Sequence, residues 1–232
     1  MSTTTRYSPE RSTAIHEAGH GVMAYWLGMR FKAISVEKGD DDSLGRVEHL
    51  PAPYWLQPEF DMNCRTRTRI EQYVMTALAG GETEAAWCAR LIDAPAGWER
   101  RATRGAGQDR HQAFDLASYV CGSNRELGAY IEWLRQRVLN LTGRGAGTEI
   151  NQNDPLPVAD FERYGDPRFW ALTEALADAV QEARTMSWRA ARSVLRRADQ
   201  ELMEAQQRGR RASGPRGRAE LTETARNRGT KE

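Results

Sequence analysis

Cysteine is scarce in this chain. Three occur in 232 residues, at positions 64, 88 and 121, odd in number, far apart and without a C-x-x-C pair. That excludes a disulfide framework and a thiolate zinc site, and makes a reducing, intracellular setting the default. No charge of one sign prevails either: 33 Lys and Arg stand against 32 Asp and Glu, for a net charge of +1. The chain as a whole therefore has no bias towards nucleic acid. No apolar run approaches the roughly 18 residues needed to cross a bilayer, and the opening MSTTTRYSPERS is polar where a secretory signal is apolar. The expected location is the cytoplasm, away from membranes. A phosphate loop, G-x-x-x-x-G-K-[ST], is also missing, since the glycines of TGRGAGTEI lack the lysine. ATP hydrolysis by these residues is not expected.

Ser8 followed by Pro9 reads as an N-cap with proline at the first helical position, opening a helix that stops at Gly28. Its core stripe is Ile15, Ala18, Val22, Met23 and Trp26. FKAISVE places Ile34 and Val36 on one face at period two, KGDDDS reads as a turn and LGRVEHL as a return strand, which together predict a hairpin. Around Ile70, Val74, Leu78 and Ala85 the pattern is helical from Arg65 to about Arg90, interrupted or bent near Gly80 and Gly81. A further helix begins near Asp109 and, directly or after a break at Gly122, continues towards Leu141. A zinc-site core over about 8–141, a connector over about 142–166 and a helical segment over about 167–207, one long helix or a pair, make up a domain over 1–207. The fold class expected is mainly α with a small β-hairpin or sheet. From Arg184 onward thirteen basic residues face six acidic ones, and apolar residues nearly vanish after Gly209. Residues 208–232 therefore read as a disordered basic tail, a solvated segment or a contact for nucleic acid or an acidic partner.

Histidine is rare too, yet two of the four fall in HEAGH, residues 16–20. Residues four apart share a helix face, so His16 and His20 can place imidazole nitrogens on one ion. Glu17 adjoins the first and can lean over an open coordination position, to take the proton of a zinc-held water as it attacks a peptide carbonyl. H-E-x-x-H arises by chance in a chain of this length on the order of one time in a hundred. A catalytic zinc wants a third protein ligand. His49, Glu84, Asp109 and His111 are the candidates, and no histidine follows at the spacing of the metzincin pattern.

HEAGHG, the LG within SLGRVEHL, LAGGETEAA, and GAGQD opening a helix that continues HQAFDLASYV occur in this order. Over about residues 10–122 the chain resembles the peptidase domain of FtsH-type zinc proteases, whose pattern runs HEAGHA, LG, LGGRxAEE, GAxxDxxxATxxAxxMV. The resemblance implies that His16, His20 and Asp109 ligate zinc, that Glu17 is the general base, and that Glu84 orients a ligating histidine or serves as the alternative ligand. Gly81 and Ala85 depart from the pattern, replacing its arginine and its second paired glutamate. The family's membrane anchor and AAA+ ATPase have no counterpart in these residues. The expectation is thus a freestanding, ATP-independent zinc metalloendopeptidase that cuts flexible or unfolded polypeptide, paired as an added strand on the hairpin edge. The competing expectation is a non-catalytic protein on the same scaffold that binds a partner or nucleic acid through its basic C-terminal region.

Overall fold

The structure, a computed structural model, describes residues 6–39, 44–91, 93–98, 102, 106–143 and 165–213. Helix α1 (Pro9–Trp26) starts where expected: the Ser8 side chain accepts from the Arg11 N–H at 3.0 Å and proline occupies the first turn. It closes at Leu27, and Gly28 takes the left-handed conformation, φ +70°. Of the expected stripe, Ile15, Ala18, Val22 and Met23 are buried, while Trp26 keeps part of its surface outside. Burial in α1 goes beyond a stripe, because every residue from Ala14 to Ala24 is buried. The helix lies between two others and a sheet, which explains its load of alanine and glycine.

Strands β1 (Phe31–Ser35) and β2 (Arg46–His49) form the expected antiparallel hairpin, with Ile34 opposite Val47 and Phe31 opposite His49. A third strand, β3 (Thr185–Ser187), pairs antiparallel with the other edge of β1, so the order is β2-β1-β3. Helix α2 (Cys64–Cys88) is capped by Asn63, whose side chain accepts from the Thr66 N–H at 3.0 Å. It runs unbroken through Gly80 and Gly81, correcting the expected interruption. Those glycines make room for neighbours rather than ending the helix.

Helix α3 (Gly107–Ser118) and helix α4 (Asn124–Thr142) are separate, the second capped by Ser123 and closed by Gly143 at φ +86°. Residues 144–164, most of the expected connector, lie outside the described residues. Helix α5 (Pro167–Ala183), capped by Asp166, and helix α6 (Trp188–Ser213) form a pair, one of the two expected arrangements, with β3 and the positive φ of Arg184 (63°) at their junction. Helix α6 runs past 207 to Ser213, correcting the expected start of the tail; its QQRGRRA stretch is mostly good helix former. Residues 214–232 lie outside the described residues. The architecture is mainly helical with a three-stranded antiparallel sheet, α+β, and no described helix is long and apolar enough to cross a membrane. One core, with Ile15, Met23, Phe31, Ile34, Ile70, Leu134, Phe169, Leu172, Leu176 and Leu195 fully buried, spans all these elements.

Candidate metal centre

Where α1 crosses α2, side-chain volume is removed on purpose. A Cβ at position 80 would overlap the His20 imidazole, and one at position 19 would meet Thr83 Oγ1 at 2.7 Å. The His20 ring therefore lies against bare backbone, and its Nδ1–H donates to the Thr76 carbonyl at 2.7 Å. One turn earlier on α1, the His16 Nδ1–H donates to Glu84 Oε2 at 2.9 Å, and the buried Ser12 hydroxyl donates to Glu84 Oε1 at 2.6 Å. In its neutral form each ring is thus held in one tautomer, with Nε2 left as a lone pair.

The two lone pairs converge with a carboxylate brought by another helix. Asp109 lies in the first turn of α3, and the start of α3 comes close to α2 because Gly81 has no side chain: a Cβ there would stand 2.6 Å from that of Ala106. His16 Nε2 lies 3.2 Å from His20 Nε2 and 3.1 Å from Asp109 Oδ2; His20 Nε2 lies 3.3 Å from the same oxygen. Three acceptors at such spacing call for a positive centre between them. A tetrahedron with zinc bonds of about 2.0–2.1 Å has edges of about 3.3–3.4 Å, so these atoms fit three vertices of a zinc site and leave the fourth open. Among the described residues this is the metal-ligating group that emerges.

No protein-family model matches this chain, and no curated protein matches it. The chemistry of the site is argued from its own groups. Burial works against a charged His16, yet hydrogen bonds with Asp109 and Glu84 outweigh it and hold that imidazole well above the usual histidine range. The same balance, with Asp109 as chief counterweight, raises His20. Burial also opposes ionisation of Asp109, but His20 and His16 drive its carboxyl far below the usual carboxylate range. Glu17 behaves differently: burial raises its proton affinity despite the pull of His16 and His20. It sits beneath the start of β2, where a Cβ on Gly45 would come within 2.9 Å of Glu17 Oε1.

Of the four candidates for third ligand, the structure brings Asp109 to the two histidine nitrogens and puts Glu84 behind His16. His111 turns away, exposed, with Nδ1 at 3.0 Å from the Gly107 carbonyl. His49, on β2, stays outside the cluster. Ser12 and Thr76 went unread in the sequence; only the i, i+4 spacing of Ser12 and His16 could have pointed to the former, and a backbone carbonyl leaves no signal.

Proposed function

We propose that this protein is a zinc-dependent metallopeptidase of the HExxH type, built like the peptidase domain of FtsH-type zinc proteases, that hydrolyses peptide bonds in flexible or unfolded polypeptide without using ATP. The observation that carries the reading is the convergence of His16 Nε2, His20 Nε2 and Asp109 Oδ2 at 3.1–3.3 Å, with the carboxylate of Glu17 next along α1. Those three atoms would hold the ion, and bound zinc would polarise the scissile carbonyl and acidify a water.

The remaining steps belong to the chain. Glu17 takes a proton from the attacking water and passes it to the leaving amine, and burial brings its affinity for that proton closer to what the task needs. Glu84, itself held by Ser12, keeps His16 in place, and the Thr76 carbonyl does so for His20. Because β3 covers one edge of β1, the edge offered beside Glu17 is that of β2. A substrate must be extended to add there as a strand, which favours unfolded polypeptide over folded protein.

Purified protein should carry close to one zinc per chain and cleave unfolded casein until a chelator is added. Glu17→Gln should keep the zinc while cleavage falls about 10²–10⁴-fold. His20→Ala should lose the metal. Cleavage indifferent to chelation, or full zinc in His20→Ala, would overturn the assignment. If Glu17→Gln matches the wild type in every assay, the reading left is a partner-binding protein acting through the exposed Arg189, Arg196, Arg197 and Arg208 of α6.

A further inference from the structure

We propose that His49 is a third functional histidine, whose Nε2–H donates a hydrogen bond to the carbonyl oxygen of the bond being cleaved as that oxygen gains negative charge. The proposal rests on the peptidase reading above. Its starting point is a row of residues on one face of α2. Tyr73, Thr76, Gly80 and Glu84 follow one another at steps of three, four and four, each about one helical turn along. The histidines line up on them in order. His16 bonds Glu84, His20 bonds Thr76 and covers Gly80, and the His49 ring stands edge-on to Tyr73 at 6.4 Å between centroids. Three of the chain's four histidines thus share one stripe, and His49 is the next step past His20.

His49 is not a fourth ligand. Among the described residues, the group of three or more His, Cys, Asp or Glu ligand atoms that all lie within 4.8 Å of one another is that of His16, His20 and Asp109, and His49 is not in it. A group one step outside the ligand set is placed for a substrate atom instead.

The state of the ring follows from its surroundings. His49 Nδ1 is sealed from solvent and has no hydrogen-bond partner, so nothing there can accept a proton's hydrogen bond. The proton of the neutral ring belongs on Nε2, which is not among the buried atoms left without a partner. Burial, reinforced by His20, also holds this imidazole below the usual histidine range and keeps it neutral near pH 7. A neutral donor suits an oxygen that becomes anionic only in the transition state, because no charge has to be desolvated beforehand. Val47 and His49 alternate inward along β2 while Arg46 and Glu48 face out. A peptide lying along β2 therefore passes Glu17 under Gly45 at one end and His49 at the other. Water's oxygen bonds to the carbonyl carbon, its proton goes to Glu17, the carbonyl π pair moves onto the oxygen that His49 holds, and the C–N bond then breaks as the amine takes the proton.

His49→Phe preserves the ring packed on Tyr73 and removes the donor. With zinc-loaded protein and unfolded casein, kcat should fall about 10²–10³-fold with KM nearly unchanged, as for the loss of one such donor. Zinc content and Tm should stay at wild-type values, and a phosphinic pseudo-peptide, which mimics the tetrahedral anion, should bind correspondingly more weakly by calorimetry. His49→Gln, whose amide N–H can reach the place of Nε2, should recover at least tenfold of the loss, and it supplies the measurement if the phenylalanine variant does not fold. An unchanged kcat overturns the proposal, and so does loss of zinc, which would make His49 a ligand. Zinc-loaded wild type that cleaves nothing fails the peptidase reading itself, whereas active wild type with fully active His49→Phe fails this proposal alone.

Discussion

The crossing of α1 with α2 and the pairing of α5 with α6 solve opposite problems. At the crossing, volume is removed: Gly19 and Gly80 let backbone meet ring and hydroxyl, and of the groups so enclosed Ser12, His16, His20 and Glu84 each find a polar partner while Thr83 Oγ1 has none. In the helical pair, volume is added: Phe169, Leu172, Leu176 and Leu195 are fully buried, and the bidentate Arg168–Asp199 pair, at 2.6 and 2.7 Å, sits on the outer side. One region spends packing to hold a site and the other supplies the stability that permits it. Damage to the two should therefore be separable.

Gly80→Ala tests this most sharply. In an exposed helix the exchange favours helicity by about 1 kcal/mol. Here the added methyl overlaps the His20 ring, so zinc per chain should drop from near one to near zero while far-UV circular dichroism stays helical. Undiminished zinc in that variant would mean that the crossing is not held by its missing side chain.

Leu195→Ala is the mirror case. The side chain is fully buried in the helical pair, so its loss should cost about 2–5 kcal/mol in denaturant unfolding. Zinc per folded chain should not change, and a parallel loss of metal would show the two regions to be one cooperative unit. The smallest effect is expected at Glu84. Glu84→Ala leaves all three ligand atoms and should weaken zinc about 10–100-fold, whereas Asp109→Ala should empty the site under mild chelation. The reverse order in a metal-competition titration would make Glu84 the ligand.

How much of this was legible depends on how local each feature is. The first helix with its Ser8-Pro9 start, the hairpin and the helical character after residue 167 all follow from period and punctuation. HEAGH needs only five residues of helix to place two nitrogens side by side. Asp109 is 93 positions from His16, and no spacing rule links them; only the resemblance to a known pattern favoured it over Glu84. Gly80 and Gly81 misled because a glycine reads the same whether it bends a helix or admits a neighbour, and the neighbours, His20 and Ala106, come from other elements. Strand β3 was invisible for a related reason. Three residues between two helices have no period of their own, and Thr185–Ser187 become a strand because β1 has an edge to offer.

That last pairing also sets a timetable for synthesis. The hydroxyls of Ser35 and Thr185 meet at 2.8 Å across 150 residues of chain. At about 5–20 residues per second, β1 emerges from the ribosome about eight to thirty seconds before its second partner exists. Helix α1 waits as long, since Gly21 is shaped to receive Leu176. In that interval the first-made helix, which the finished fold buries from Ala14 to Ala24, lacks one of its covers.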